Sequence, residues 1–292
     1  MKILLIGATG QLGSELTKNN PGHHIIAPKR TELDVTRGES IAASVRDSHA
    51  DWVINTAAFH NVPLCEEHPE SAFRVNCIAV RDLAQACQAN HARLVTFSTD
   101  YVFDGGKRTP YREDDCPTPL QIYGISKLAG EAAALAVAHE HVIIVRTCGL
   151  YGQSGSTSKG GNFVDNRIKD GWRGTPIDIS CDQTVCPTST YDLSKAIYEL
   201  IANPARGFGV YHLVNEGECT WFELTKAIYE HLEITTQLSP VDRAGRTGTM
   251  RRPLYSVLAN TRARALGVIL PSWQDALKRY LVAKYSDQIK RH

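Results

Sequence analysis

Three residues of the sequence have side chains and spacing suited to proton transfer: Thr99, Tyr123 and Lys127. Tyr123 and Lys127 stand four positions apart in the segment Y-G-I-S-K, and residues with that spacing share one face of a helix. A neighbouring ammonium stabilises a phenolate and so lowers the pKa of a tyrosine, which is ordinarily about 10. Tyr123 is therefore predicted to exchange a proton with a substrate oxygen, although this spacing alone also occurs in ordinary pairs on helix surfaces.

Thr99 is predicted to face that helix from the end of a strand. The apolar run L-V-T-F-S at 94–98 indicates a buried strand, and Thr99 follows it directly. In open α/β sheets, ligands bind beyond the carboxyl ends of the strands. A hydroxyl there can hydrogen-bond a carbonyl oxygen and align it for protonation by Tyr123, which makes a plain surface pair the less favoured interpretation.

The start of the chain predicts a dinucleotide site. K-I-L-L-I (2–6) reads as a strand, and Gly7, Gly10 and Gly13 follow it before a helix that begins near Gln11. Glycines in such a turn let the backbone approach a pyrophosphate, and the helix N-terminus offers free N–H groups. The spacing G-x-x-G-x-x-G alone also fits a glycine-rich turn without a ligand, but its place after the first strand favours dinucleotide binding.

The end of the second predicted strand bears on the choice of cofactor. Folds that prefer NAD usually place an acidic residue there to hold the ribose 2′-hydroxyl, whereas this chain has Lys29 and Arg30. A guanidinium can pair with a 2′-phosphate, so NADPH is predicted over NADH, which stays open. Asp34, just beyond, is predicted to hydrogen-bond the adenine amino group.

Strands that alternate with helices predict an α/β fold, a Rossmann-type doubly wound parallel sheet. After the first strand, strands are expected at 24–27, 51–55, 94–98 and 142–146, with helices at 38–48, about 69–89 and 121–138. Beyond these, helices are expected near 162–171, 190–202, 220–232 and 272–284, with strands near 176–180 and 209–214.

Two regions of the chain are expected. Residues 1–152 form an NAD(P)-binding Rossmann domain, completed by parts of 176–215, and residues 153–292 form mainly a smaller C-terminal α/β substrate-binding lobe. The polar, Gly/Ser-rich stretch at 153–161 marks the change and is expected to be a mobile loop.

Composition excludes several classes of protein. The 292 residues carry 32 basic and 31 acidic side chains, a formal net charge of +1, which gives no basis for a nucleic-acid or membrane surface. No apolar run reaches the length of a transmembrane helix, and M-K-I-L-L-I-G reads as a strand rather than a signal peptide. A cytoplasmic protein is expected. The eight cysteines are scattered without a C-x-x-C pair, so they are expected to be reduced and no metal site is predicted.

Taken together, these segments resemble the extended short-chain dehydrogenase/reductases, and more narrowly the dTDP-4-dehydrorhamnose reductases and their sugar-nucleotide relatives. The resemblance covers nearly the whole chain. It rests on G-A-T-G-Q-L-G (7–13), L-D-V-T (33–36), N-T-A-A (55–58), S-T-D-Y-V-F-D-G (98–105), Y-G-I-S-K-L-A-G-E (123–131), R-T-C-G-L-Y-G (146–152), D-Q-T-V-C-P-T (182–188), Y-H-L-V-N (211–215), R-R-P (251–253) and P-S-W-Q-D-A-L (271–277).

The resemblance implies an oxidoreductase that uses NADPH to reduce the C4 ketone of a nucleotide-activated 4-keto-6-deoxy sugar, in deoxysugar and polysaccharide biosynthesis. It implies a nucleotide-sugar partner and leaves a homodimer open. The implied catalytic residues are Thr99, Tyr123 and Lys127. The implied cofactor contacts are Gly7, Gly10, Gln11, Leu12, Gly13, Arg30, Asp34, Val35, Ala57, Ala58, Phe59, Tyr123 and Lys127, and the implied substrate contacts are Thr99, Asp100, Gly149 and Arg252.

Three departures from the family pattern bear on the substrate. His60 and Pro63 replace the Thr and Asp usual after the third strand, and Gln121 replaces an Asn before the tyrosine. Cys148 and Gly149 stand where relatives carry Ser and a Trp that lines the sugar pocket. The loss of that Trp predicts a larger or reshaped pocket, so the sugar is left open.

Alternatives remain. A 4,6-dehydratase typically carries T-D-E at the strand end; Tyr101 replaces the Glu here, which disfavours loss of water. A 4-epimerase with retained NAD shares the same three catalytic residues, and a non-catalytic NADP-binding regulatory subunit resembling that of methionine adenosyltransferase shares the fold. Substrate phosphates are expected to meet cations of the second lobe, with Lys159, Arg173, Arg251 and Arg252 as candidates. Trp221 and Trp273 are expected to be packing residues.

Overall fold

A parallel sheet of six strands forms the centre of the computed structural model, which describes residues 1–154, 160–203, 205–244, 246–247 and 250–289. The strands along the described chain are β1 (Lys2–Ile6), β2 (His24–Ile26), β3 (Trp52–Asn55), β4 (Arg93–Thr99), β5 (Val142–Thr147), β6 (Leu150–Tyr151), β7 (Ile177–Ser180), β8 (Thr184–Val185), β9 (Thr188–Ser189), β10 (Gly209–His212), β11 (Cys219–Thr220), β12 (Leu238–Val241), β13 (Arg246–Thr247) and β14 (Met250–Arg251). The central sheet has the order β10-β5-β4-β3-β1-β2.

Helices cover both faces of this sheet. They are α1 (Gln11–Lys18), α2 (Gly38–Ser48), α3 (Val62–Glu67), α4 (Pro69–Phe73), α5 (Ala79–Ala89), α6 (Ile122–Ala138), α7 (Phe163–Trp172), α8 (Thr190–Ala202), α9 (Trp221–His231), α10 (Thr261–Ala265) and α11 (Trp273–Ile289). Helices α1 and α8 pack together on one face, and α2, α5 and α6 cover the other. The predicted fold class, a doubly wound parallel sheet, is confirmed.

The inner strands are apolar because both of their faces are covered. Every residue of β3 and β5 is buried, and β5 reads V-I-I-V-R-T, rich in the β-branched residues that suit a buried pleated surface. The chain leaves β1 toward β2 on one side and β3 lies on the other, so the strand order reverses between β1 and β3. Ligands of open α/β sheets bind in the crevice beyond such a reversal.

The single helix expected at about 69–89 is wrong in detail. The segment is divided into α4, a π-helical turn at Arg74–Ile78 and α5. A π turn inserts an extra residue into the helix and re-aims the side chains around it, and such turns are frequent at functional sites. Apolar periodicity does not distinguish this turn from continuous α-helix.

The second half of the chain contributes to the central sheet as well as to a smaller lobe. Strand β10 pairs in parallel with β5 and forms one edge of the central sheet. Helices α7, α9 and α11 enclose a separate apolar core, and β7 and β12 pair in parallel beside it. In the part of the chain that the structure describes, no helix combines the length and the apolar character needed to cross a membrane.

Candidate active site

Thr99 and Tyr123 meet at the carboxyl end of the central sheet. Thr99 is the last residue of β4, and Tyr123 is the second residue of α6. The Thr99 side chain lies close enough to the Tyr123 phenol to lower its pKa. Lys127 lies one turn further along α6 and, like Thr99, is buried. The structure thus brings together the three residues that the sequence predicts to be catalytic.

The start of α6 is held against the turn that follows β4. The Gln121 side chain caps the helix by accepting a hydrogen bond from Gly124 N–H at 2.6 Å. A Cβ at Gly124 would come within 2.1 Å of the Tyr101 carbonyl oxygen, so glycine is required for this approach. The departure at Gln121 therefore preserves a capping function that fixes the direction of Tyr123.

Asn76, on the π turn, ties the loop after β3 to helix α6. Its amide exchanges two hydrogen bonds with the Phe59 backbone, each of 2.9 Å, and its Nδ2 also donates to Ser126 Oγ at 3.0 Å. Ser126 in turn donates to the Tyr123 carbonyl at 2.8 Å. A Cβ at Gly130 would lie 2.0 Å from the Asn76 carbonyl oxygen, so this approach needs a glycine too. The loop and the tyrosine consequently form one connected unit.

Two opposing influences set the pKa of Lys127, which decides how readily its ammonium loses a proton. Burial lowers the pKa of Lys127 to about 8, while the charge of Glu131 acts in the opposite direction. Glu131 is itself held by Arg146 of β5, with Nη2 to Oε2 at 2.6 Å and both side chains 4% exposed. Arg146 thus fixes the carboxylate that helps to keep Lys127 charged.

The pKa of Tyr123 is raised in the chain alone, whereas the sequence predicts that Lys127 lowers it. Burial is the main cause, and a negative charge on Asp100 would add to it, while the Thr99 side chain acts the other way. Tyr123 is accordingly a phenol that holds its proton, as a proton donor must.

Asp100 lies behind Thr99, in the wall of the site. Its carboxyl is 4% exposed, with the Thr99 hydroxyl 2.9 Å from Oδ1. Oδ2 accepts from Ser256 Oγ at 2.6 Å and from Cys148 Sγ at 3.1 Å. Its predicted contact with the sugar stays a prediction, because these chain groups already occupy both oxygens.

The glycine turn after β1 has the shape of a phosphate cradle. Gly7 has φ +81°, and a Cβ at Gly13 would lie 2.2 Å from the Gly7 carbonyl oxygen, so both positions require glycine. Gly10 is exposed and is the N-cap of α1, whose first residues are Gln11 and Leu12. The first N–H groups of a helix have no partner within it and attract an anion. The turn therefore fits a dinucleotide pyrophosphate.

The loop after β3 closes the other side of this crevice. Thr56 Oγ1 donates to the Ile6 and Gly7 carbonyls at 2.8 and 3.1 Å, which joins the ends of β3 and β1. Ala57, Ala58 and Phe59 follow it and are partly buried. Their place beside the cradle is compatible with the predicted cofactor contacts.

The residues expected near the adenosine lie on the turn after β2. Arg30 is exposed, and Asp34 and Val35 are partly buried. Asp34 Oδ1 accepts from the Thr36 N–H and hydroxyl at 2.9 and 2.8 Å, and these bonds are the main reason that the pKa of Asp34 is lowered. Asp34 is therefore an ionised acceptor, as the predicted bond to an adenine amino group needs.

Among the predicted phosphate-binding cations, Arg252 lies nearest the catalytic residues. Its Nη1 is 3.4 Å from the Tyr101 hydroxyl, and the Tyr101 ring meets that of Tyr123 edge-on at 6.2 Å. Arg252 Nε is buried and has no hydrogen-bond partner within the described ranges. Arg251 is exposed, Arg173 lies 3.7 Å from Asp170 in an ion pair, and Lys159 falls outside the described residues.

Gly149 is bordered by an aromatic side chain of the second lobe. It has φ +55°, and a Cβ there would lie 3.3 Å from both the tip of the Trp221 indole and Pro187 Cα. Trp221 also packs against Phe163 at 4.5 Å between ring centroids. The space left by the missing side chain at 149 is thus partly filled by Trp221, which the sequence indicates only as a packing residue.

The other departures from the family pattern have local explanations. His60 Nδ1 lies 3.3 Å from the Ala58 carbonyl oxygen. Pro63 stands in the first turn of α3, where its missing N–H would have no intrahelical partner. Pro63 thereby favours the start of α3, a helix that was not predicted from the sequence.

Asn76 and Ser256 are the site residues that the sequence analysis misses. Asn76 stands in a segment read as plain helix, and Ser256 is distant in sequence from the residues that it contacts. The available signal was the R-R-P segment just before Ser256, one of the segments on which the family resemblance rests.

The comparisons with known proteins agree with this geometry. Residues 1–286 match the family model described as the RmlD substrate binding domain. The dTDP-4-dehydrorhamnose reductase of Streptomyces griseus is 37% identical, covering 94% of this chain and 91% of its own. The spore coat polysaccharide biosynthesis protein SpsK of Bacillus subtilis is 34% identical, covering 98% of each chain.

A solved relative carries a cofactor. The crystal structure of dTDP-4-dehydrorhamnose reductase from Bacillus anthracis, in complex with NADP, is 33% identical and superimposes with a TM-score of 0.89. The match covers 96% of this chain and 98% of that one. The family model extends over the segments that contain both the cradle and Thr99, Tyr123 and Lys127, and this chain therefore belongs to the RmlD substrate binding domain family.

Proposed function

We propose that this protein is an NADPH-dependent reductase of the C4 ketone of a nucleotide-activated 4-keto-6-deoxy sugar, as the names of its relatives suggest. The observation that supports this most is the junction of Thr99 and Tyr123 at the sheet edge, with Lys127 one turn further along α6. A phosphate cradle at the end of β1 lies at the same edge of the sheet. Both therefore lie where ligands of open α/β sheets bind, as a hydride-transferring reductase needs.

The chain's own residues handle the proton. Tyr123 gives its phenolic proton to the ketone oxygen as the new C–H bond forms at C4. This leaves a hydroxyl on the sugar and a phenolate on the protein. Lys127 stabilises that phenolate while its ammonium is charged. Thr99 donates a hydrogen bond to the same oxygen and fixes its position.

The cofactor would be held by the glycine turn and by the loop after β3. When bound, NADPH would supply the hydride that adds to the sugar C4. The N–H groups at Gln11 and Leu12 would meet its pyrophosphate, and Arg30 would meet the 2′-phosphate. Asp34 and Val35 would flank the adenine, and Lys127 would reach the nicotinamide ribose.

Arg252 and the wall formed by Gly149 and Trp221 would contact the nucleotide sugar. The buried Nε of Arg252 leaves a donor for a substrate oxygen. Residues 1–152 with β10 would then form the cofactor domain, and residues 153–292 would supply most of the substrate lobe.

Tyr101 disfavours a dehydratase activity. It stands where dehydratases carry the Glu that acts as the base in the elimination of water. Its hydroxyl is next to Arg252, yet burial raises the pKa of Tyr101 to about 12. A phenol with that pKa stays protonated near neutral pH and therefore cannot accept a proton as a base.

A substrate panel tests the proposal. The purified protein is given NADPH or NADH with 4-keto-6-deoxy sugars linked to dTDP, UDP, GDP and CDP, and the product configuration at C4 is determined. The proposal expects stoichiometric consumption of NADPH with at least one of them. Interconversion of C4 epimers without net consumption of cofactor would instead identify an epimerase, and tight NADPH binding without any turnover would identify a regulatory subunit.

A further inference from the structure

Asp100 is a buried carboxyl group that touches the catalytic machinery without a described ion-pair partner. Three groups contact its oxygens, namely the hydroxyls of Thr99 and Ser256 and the thiol of Cys148. All three groups are uncharged, since a hydrogen bond with Cys186 and burial raise the pKa of the Cys148 thiol well above its ordinary value. A buried carboxylate that lacks a cation is costly, and such groups usually stay protonated.

The proton of Thr99 can serve only one acceptor at a time. If Asp100 is ionised, its charge attracts the Thr99 hydroxyl proton across the 2.9 Å contact with Oδ1. Thr99 can then only accept hydrogen bonds, as it does from Tyr101 N–H at 3.2 Å, and it has no proton for a ketone oxygen. A protonated Asp100 reverses this contact, because the acid becomes the donor and Thr99 the acceptor.

The chemistry of Tyr123 also requires an uncharged Asp100. After proton transfer Tyr123 becomes a phenolate, and a negative charge on Asp100 would oppose that state, because like charges repel and such a charge raises the pKa of Tyr123. A neutral Asp100 removes the repulsion. Both the hydroxyl and the phenol therefore work best beside a protonated carboxyl.

We propose that Asp100 is a positioning residue that works as a neutral carboxylic acid: it donates a hydrogen bond to Thr99 and thereby releases the Thr99 hydroxyl to donate to the substrate ketone. The role in reduction rests on the proposed function. The protonation state does not, since it follows from contacts within the chain.

Among the described residues, the side chains that contact the Asp100 oxygens carry no positive charge. Cys148 reaches it from the end of β5, and Ser256 reaches it from the segment after β14. The Tyr101 ring, on the same turn as Asp100, meets the Tyr123 ring of α6 edge-on. The two nearby cations lie farther out: Arg252 is next to the Tyr101 hydroxyl, and Lys127 is one helical turn beyond Tyr123. Burial is the largest influence on the pKa of Asp100 and raises it, while the hydrogen bonds from Ser256, Cys148 and Thr99 act the other way.

Infrared difference spectroscopy tests the protonation state without any substrate. The spectrum of the wild-type protein at pH 7 minus that of Asp100→Asn is expected to show the C=O stretch of a protonated carboxyl group, shifted in D2O. A difference that contains only carboxylate bands would overturn the proposal. If Asp100→Asn does not fold, Ser256→Ala replaces it, because loss of its hydrogen bond should move the same C=O band to higher frequency; absence of such a band would overturn the proposal equally.

Kinetics test the role. In Asp100→Asn the amide can still donate to Thr99, so kcat is expected to stay within about tenfold of wild type, whereas Asp100→Leu should lose about 100-fold or more, the effect of removing a donor to the developing oxyanion. NADPH fluorescence titration serves as the folding control for both variants. An Asn variant that loses as much kcat as the Leu variant would overturn the role. A wild-type protein that turns over no 4-keto sugar would refute the proposed function and would leave the infrared result standing.

Discussion

Arg30 lies on an exposed turn after β2, and its predicted partner is the 2′-phosphate that distinguishes NADPH from NADH. The Arg30→Ala variant is expected to lose about tenfold or more in kcat/KM with NADPH, because one charge-assisted contact is lost, and to change little with NADH. Steady-state kinetics with both cofactors provide the measurement.

Arg46→Ala is the matched control, since Arg46 is an exposed arginine that pairs with Asp47 on α2. It should leave both cofactors unaffected. Equal losses with NADPH and NADH in Arg30→Ala would show that the turn does not read the 2′-phosphate.

Residue types and spacing made it predictable that Thr99, Tyr123 and Lys127 come together, because they stand in short local motifs. The contacts that orient them were not predictable. Ser256 and Cys148 reach Asp100 from positions 156 and 48 residues away along the chain. Local patterns carry no information on such pairs, which arise only when the chain folds.

Helix α6 and strand β5 are joined by the buried pair of Glu131 and Arg146, and the charge of Glu131 also raises the pKa of Lys127. Glu131→Gln is expected to lower the pKa of Lys127 below its present value of about 8, since the carboxylate charge that raises it is removed. If kcat requires the ammonium, the fall in kcat at alkaline pH should move to lower pH. The pH profile of kcat measures this shift.

The same variant should unfold more easily, because Arg146 is left as an unpaired buried charge, at a cost of about 3 kcal/mol. Glu140→Gln provides the control, since Glu140 is an exposed carboxylate near the end of the same helix. A Glu131→Gln profile that overlays that of the control would contradict the assigned effect on Lys127.

At the scale of elements, the long strands and helices were predictable and the small ones were not. Helix 38–48 and the five strands read from the first half agree with the structure within a residue or two, because apolar periodicity is strong there. The π turn at Arg74–Ile78 and helix α3 were missed. The π turn is stabilised by tertiary contacts of Asn76, and α3 is too short to show a period.

The whole molecule contains a histidine whose neutrality contributes to stability. His212, at the end of the edge strand β10, is fully buried and its Nδ1 lies 3.1 Å from the Tyr111 carbonyl oxygen. Burial, aided by the charge of Arg146, lowers the pKa of His212 to about 3. The unfolded chain therefore binds this proton more readily, so stability is present above about pH 6.5 and is lost as the pH falls toward 3.

The loss over that range is on the order of 4 kcal/mol for this group. His212→Asn retains a donor for the Tyr111 carbonyl but does not titrate, so its free energy of unfolding should depend less on pH between 6.5 and 4 than that of the wild type. Urea unfolding at several pH values measures this slope. Identical slopes in the two proteins would show that His212 does not govern the acid sensitivity.

Chain connectivity at the largest scale was only partly visible in the sequence. Alternation of strands and helices predicted the sheet and its class. Three other features depend on how the second half of the chain folds back on the first. They are the pairing of β10 with β5, the contact of Trp221 with Gly149 and the position of Arg252 near Tyr101. These contacts decide the shape of the substrate pocket, which is why the chemistry was more predictable than the sugar.

In the proposed reaction Tyr123 protonates the ketone oxygen while hydride adds to the carbonyl carbon, C4 of the sugar. The most direct measurement is a reaction with NADPH that carries deuterium at the transferred C4 position, followed by NMR of the sugar product. Deuterium is expected at the sugar C4 with the wild-type protein. For Tyr123→Phe, kcat is expected to fall about 100-fold or more, the usual contribution of a general acid, with NADPH binding retained. Deuterium at another position, or near-normal turnover by Tyr123→Phe, would contradict this mechanism.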